Sequence, residues 1–232
     1  MMQKPLLLQI QDSGPNPQKV AIILEELNLP YKVSFITSAE ASETVGNTTS
    51  GGGTPPVQDK NTGMIFLTDP NTNVTLWESL ALVEYLITTY DIDNKLSYGT
   101  KSPECWLAQQ WLAYQMGAQS PFYSLKAWFS NQHPEKVDSV IARFADDVNR
   151  IVGIMEYHLQ QNGTGYLVGS KCTYADLEFV AWNNKLKEVM GEKETIRLIN
   201  DAPHFKRWHE MLMARPAVQH VMRNPDLNAR NR

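Results

Sequence analysis

Cysteine is scarce. Cys105 and Cys172 are the two present in 232 residues, and they are far apart. That excludes a disulfide framework and fits a reduced, cytosolic setting. The five histidines, His133, His158, His204, His209 and His220, are scattered and form no metal motif, so no metal is expected. No apolar run is long enough to span a membrane. Basic residues are not in excess: 21 Lys and Arg face 25 Asp and Glu, a formal net charge of -4. That excludes a general nucleic-acid surface. A local lack is sharper. No Lys, Arg or His stands between Lys32 and Lys60. Much of this stretch, TSAEASETVGNTTSGGG at 37–53, is polar and Gly-rich and reads as a mobile connection.

Ordered patterns stand on both sides of it. The start, MMQKPLLLQIQDSG, reads as a first strand rather than a signal peptide, because polar Gln and Asp follow a short apolar run. DSGPNP at 12–17 has turn chemistry. Val20, Ile23, Leu24 and Leu27 recur at helical spacing. YKVSFI at 31–36 resembles a strand, giving strand–helix–strand and hence a parallel pair with a crossover. MIFLTD and NVTLWE, separated by the turn DPNTN, predict a hairpin, and a helix follows from Ser79 with Leu80, Val83, Ile87 and Tyr90 on one face. After residue 100 the pattern is helical throughout. Helices are expected at 104–119, 134–162, 174–189 and 204–214, with another started by Pro216. In the second, an apolar stripe runs from Val137 to Leu159. The spacing predicts an α/β unit at 1–92, a linker at 93–103 and an all-helical unit at 104–232.

Four short stretches carry chemistry. SGPNPQKVAIILEEL at 13–27 opens the first helix, and TPPV at 54–57 enters the hairpin. WES at 77–79 opens the next helix, and TYADLEFVAWN at 173–183 has capping-box spacing between Thr173 and Asp176. Each has an ordinary reading: Asn16–Pro17 as an N-cap and first helical residue, Ser13 as a turn residue, Pro55–Pro56 as a trans strand entry, Ser79 as an N-cap. Taken in order at this spacing, the stretches resemble the cytosolic glutathione S-transferases over nearly the whole chain. The first and last are most similar to the fungal class related to the yeast nitrogen-regulating prion protein.

That resemblance implies a thioredoxin-like α/β N-terminal domain followed by an all-α C-terminal domain, with glutathione as cosubstrate and a homodimeric assembly. It gives Thr54 the backbone pairing to the cysteinyl part of glutathione and makes Pro55 a cis residue. Glu78 and Ser79 receive the γ-glutamyl end, the carboxylate at a helix N-terminus and the ammonium beside Glu78. Ser13 and Asn16 are the alternative donors to the sulfur. The family's usual cation for the glycine carboxylate has no counterpart between 32 and 60. For an apolar second substrate the candidates are Met116, Gln119, Phe122 and Tyr123, each of which reads equally as core. The expected activity is thiolate attack on a small apolar electrophile. Reversible thiol addition giving cis–trans isomerisation, as in fungal secondary metabolism, and a non-catalytic regulatory role are the alternatives.

Overall fold

The leading strand reads L-L-L-Q-I, and alternate residues Leu6, Leu8 and Ile10 are buried on one face. This is the period of a half-buried strand. The computed structural model describes residues 3–37, 39–41 and 64–228. In it, β1 (Leu6–Ile10), α1 (Pro15–Glu26) and β2 (Tyr31–Phe35) form the parallel crossover. β3 (Ile65–Asp69) and β4 (Val74–Trp77) form the antiparallel hairpin, and α2 (Ser79–Tyr90) follows. Among the described residues the sheet has the order β2-β1-β3-β4, with β1 antiparallel to β3.

Two details differ from the expected pattern. First, α1 starts at Pro15. Gly14 is its N-cap, and the first helical bond runs from Gln18 N–H to Gly14 O at 3.2 Å. Both Pro15 and Pro17 fit because the opening turn has no donors to lose. Second, the buried side of α2 consists of Ser79, Leu82, Val83 and Leu86, while Leu80, Ile87 and Tyr90 are half-buried. SLALVEYLITTY is apolar around most of its circumference, so periodicity alone leaves its rotation open.

Two compact units divide the chain. The first runs to Ile92 and takes in the C-terminal segment from Pro216; the second is Asp93–Arg215. The segment after Pro216, expected with the helical unit, therefore belongs with the sheet. Its helices α10 (Pro216–Arg223) and α11 (Pro225–Asn228) bury Val218, Val221 and Leu227, and α10 packs on α1. Gln18 Nε2 donates to Leu227 O (3.2 Å) and Asn228 Oδ1 (2.9 Å). With α2 and α10 both packed on it, α1 is buried nearly all round.

The second unit holds α3 (Pro103–Tyr114), a π-helical segment (Gln115–Gln119) and α4 (Ser120–Asn131). α5 (Asp138–Asn162), α6 (Tyr174–Asn183), α7 (Leu186–Met190), α8 (Glu192–Asn200) and α9 (Pro203–Met213) follow. The π turn has a local cause. Pro121 has no N–H for Gly117 O, and its ring crowds that carbonyl in a regular helix. Ser120 N–H instead reaches back five residues to Gln115 O. The stripe of α5 is buried from Val148 to Leu159; Val137, Val140, Ile141 and Phe144 are half-buried.

The capping box of α6 forms as read, with Thr173 at the N-cap and Asp176 at N3. Asp176 is wholly buried. Its Oδ2 accepts from Thr173 N–H (2.9 Å) and Oγ1 (3.0 Å). Its Oδ1 accepts from Leu167 N–H (2.8 Å) and Trp208 Nε1 (2.9 Å). Burial still pushes its carboxyl above the usual range. This carboxylate joins α6, α9 and the loop before α6, and its role is structural.

Candidate functional site

The sheet register brings Ser13, Asn16, Glu78 and Ser79 to one end of the first unit. Ile10, the last residue of β1, faces Ile65, and Trp77, the last of β4, faces Phe66. β1 and β4 therefore both leave the sheet where β3 enters it. The β1–α1 turn with Ser13 and Asn16, and the β4–α2 junction with Glu78 and Ser79, flank the start of β3. Their strands lie two spacings apart, about 10 Å, which is also about the reach of an extended tripeptide. The chain entering β3 is tied to this end. Gln11 N–H donates to Met64 O (3.1 Å), and Met64 N–H donates to Gln11 Oε1 (2.9 Å). Thr54 and Pro55, with the expected cis bond, lie outside the described residues, as does the Gly-rich stretch at 51–53.

At the β4–α2 junction, Glu78 rather than Ser79 is the N-cap, and it makes no side-chain capping bond. Its backbone lies at φ 74, ψ 117, a region that costs a non-glycine residue about 1–3 kcal/mol. The bend turns β4 directly into α2. It leaves the Glu78 side chain exposed and buries Ser79 at the first helical position. Glu78 O accepts the first intrahelical bond, from Leu82 N–H at 3.0 Å. The N–H groups ahead of Leu82 have no partner within the helix, and they carry the positive end of its dipole. An exposed carboxylate, a hydroxyl and a helix start in one place suit a ligand bearing both a carboxylate and an ammonium.

At the β1–α1 turn, Asn16 occupies the second helical position and does not cap α1. The capping role expected of it falls to Gly14. Ser13 N–H donates to Asp12 Oδ1 (2.8 Å), and Ser13 and Asn16 are both half-buried. The two side chains stand at the positive end of α1, where an anion such as a thiolate is favoured.

The four residues expected to line a second-substrate cleft behave differently. Gln119 and Tyr123 are wholly buried. Gln119 accepts from Gln115 Nε2 (3.1 Å) and donates to Asn183 Oδ1 (2.6 Å). The Tyr123 ring stands edge-on to Trp182 at 6.4 Å. Both belong to the interior of the helical unit. Phe122 packs against Phe144 at 6.2 Å, with the Arg150 guanidinium 6.0 Å above its ring, and Met116 is half-buried. A separate cavity of about 510 Å³ lies between α3 and α5, lined by Trp111, Tyr114, Arg150 and Tyr157 among others and by none of the four. Among the described residues no cluster of His, Cys, Asp and Glu could hold a metal ion, and no helix is long and apolar enough to cross a membrane.

One polar cluster has no counterpart in the expected site. Asp69, wholly buried at the end of β3, accepts bonds from Asn71, Tyr85 and Tyr90. The turn DPNTN signals the hairpin, but nothing local shows that tyrosines 16 and 21 residues later return to its aspartate.

This mixed sheet, followed by an all-helical unit, defines a thioredoxin-like domain followed by a helical domain. Family models agree. The glutathione S-transferase N-terminal domain matches residues 10–95, and the C-terminal domain matches 122–224. The chain belongs to the glutathione S-transferase family. It is 40% identical to the glutathione S-transferase-like protein tpcF of Aspergillus fumigatus, over 90% of this chain and 91% of that one. It is 32% identical to glutathione S-transferase 2 of Schizosaccharomyces pombe, over 89% and 90%. The crystal structure of the transferase URE2P6 of Phanerochaete chrysosporium with oxidized glutathione superposes with TM-score 0.78 at 33% identity, covering 94% and 95%.

Proposed function

We propose that this glutathione transferase holds glutathione across the end of the sheet where β1 and β4 leave it. The observation that carries the reading is the β4–α2 junction. A strained Glu78 begins a helix whose first turn is uncapped by any side chain at the N-cap. The γ-glutamyl carboxylate meets the α2 N–H groups and the Ser79 hydroxyl, and the ammonium pairs with Glu78. Thr54 supplies the backbone pairing to the cysteinyl part, beside Pro55.

The sulfur then reaches the start of α1. A free thiol with pKa about 8.5 is only a few per cent ionised at neutral pH. Lowering that value by about 2 units takes about 3 kcal/mol of preferential thiolate stabilisation. Side-chain donation from Asn16 or Ser13, with the dipole of α1, supplies it; neither residue acts as a base. The thiolate attacks an apolar electrophile, forming a thioether and expelling a leaving group or adding across an activated alkene. With no cation between Lys32 and Lys60, hydroxyl and backbone donors take the glycine carboxylate. The assembly is a homodimer in the cytosol; light scattering on the purified chain checks the dimer.

The test is conjugation of glutathione to 1-chloro-2,4-dinitrobenzene. Wild type should form conjugate, and Ser79→Ala should raise KM for glutathione about tenfold, as expected for losing a bond to a charged group. Wild-type turnover no faster than the uncatalysed rate would refute the proposal. With conjugated alkenes, an isomer formed without glutathione consumption identifies the isomerase chemistry instead.

A further inference from the structure

Glu78 raises a question of support. A strained conformation persists only where the surroundings over-determine it. On one side is β4, a strand of four residues that among the described residues is bonded in the sheet to β3 alone. On the other is α2. The link joining the far end of α2 back to the hairpin is Asp69. Its Oδ2 accepts from Tyr85 OH (2.7 Å) and Tyr90 OH. Its Oδ1 accepts from Asn71 N–H (2.8 Å) and Nδ2 (2.9 Å). Thr72 Oγ1 lies 2.6 Å from Tyr85 OH, and the rings of Tyr85 and Tyr90 meet edge-on at 6.4 Å. These bonds close residues 69–90 into one loop: hairpin turn, β4, Glu78, α2, and back to Asp69. Burial alone would push the Asp69 carboxyl up. The donations from Tyr90, Tyr85 and Asn71 outweigh it and hold the carboxyl below its ordinary value, so the clasp carries a charge.

We propose that Asp69 is a positioning residue for glutathione: its clasp on Tyr85 and Tyr90 holds Glu78 in the left-handed conformation that aims the first turn of α2 at the ligand. This rests on the site reading above and adds to it a control point at the opposite end of α2, outside the ligand's reach. The clasp acts on ground-state binding of glutathione, with the sulfur donors of α1 unaltered.

The test compares wild type, Tyr85→Phe/Tyr90→Phe, Asp69→Ala and Asp69→Asn. The double variant keeps both rings and removes both phenolic bonds. KM for glutathione should rise about tenfold in the double and alanine variants, the effect of releasing a strain of this size, with kcat at saturating glutathione within about twofold. Asp69→Asn should recover most of the loss, because its amide donates to both phenolic oxygens while its carbonyl still accepts from Asn71. Hydrogen exchange gives a readout independent of activity: the Leu82 amide, bonded to Glu78 O, should exchange faster in the double variant without any ligand. If wild type bound no glutathione, the site reading would fail, while faster exchange would still confirm the clasp. A lower melting temperature with unchanged KM and unchanged exchange at Leu82 would mean that Asp69 is merely structural, and the proposal would fall. Should Asp69→Ala not fold, Tyr85→Phe alone carries the same comparison with a smaller effect, because Tyr90 keeps its bond to the shared carboxylate.

Discussion

At the scale of single residues, Asn16 shows how position decides chemistry. Asn-Pro is a strong capping signal, and from sequence it competes with any role toward a ligand. In the structure Gly14 caps, and Asn16 sits in the first turn of α1. Replacing Asn16 by Ala should raise the pKa of bound glutathione thiol by about 1–2 units, read from thiolate absorbance against pH, with KM for glutathione little changed. Ser13→Ala is the matched comparison, and the larger shift identifies the sulfur's donor. The role proposed for Glu78 comes from the WES resemblance, and its positive φ leaves no mark in a Trp-Glu-Ser sequence. His209 gives a prediction of a different kind. Burial holds its imidazole down at about 4, and its Nδ1 has no hydrogen-bond partner among the described residues. The unfolded chain takes up that proton near pH 6.5, and the folded chain does not until about 4. Stability from this group is therefore full above pH 6.5 and is lost as pH falls toward 4, at up to about 1.4 kcal/mol per pH unit. Melting temperatures between pH 7 and 5 should fall less steeply in His209→Gln than in wild type.

At the scale of elements, periodicity locates most helices and all four described strands but leaves open which faces are buried. Gln119 and Tyr123 read as cleft residues because Met, Gln and aromatics are interleaved around them. A five-residue π turn forced by Pro121 places Gln115 and Gln119 in a buried amide chain with Asn183. The extra residue shifts side-chain directions that a 3.6-residue period cannot anticipate. Gln119→Leu should lower stability by about 1–3 kcal/mol, since it leaves Gln115 and Asn183 without their shared partner. KM for both substrates should stay unchanged; a selective rise in KM for the electrophile would restore the cleft role. α8 escaped sequence reading because its buried face is narrow, essentially Thr195 and Leu198. Thr195 Oγ1 donates to Gly191 O (2.7 Å) and Leu186 O (3.1 Å), so its hidden face is partly polar.

At the scale of the whole molecule, the order of elements announced an α/β unit and a helical unit, and both are present. The return of the C-terminal segment to the first unit was not legible. Val218, Val221 and Leu227 show an amphipathic stretch, and a stretch of that kind does not name the surface it covers. The run VAIIL at 20–24 is apolar on more sides than one packed face requires, but it names no partner. Leu227→Ala should therefore cost the first unit about 2–5 kcal/mol, seen as an earlier loss of the sheet-bearing unit in thermal or denaturant unfolding.

Titration calorimetry of the purified chain with glutathione, against Glu78→Ala and Ser79→Ala, reaches the centre of this account. Wild type should bind one glutathione per chain at submillimolar concentration, with each substitution weakening binding about tenfold or more. No heat from wild type at millimolar glutathione, or equal affinity in all three proteins, would contradict a ligand seated at the start of α2.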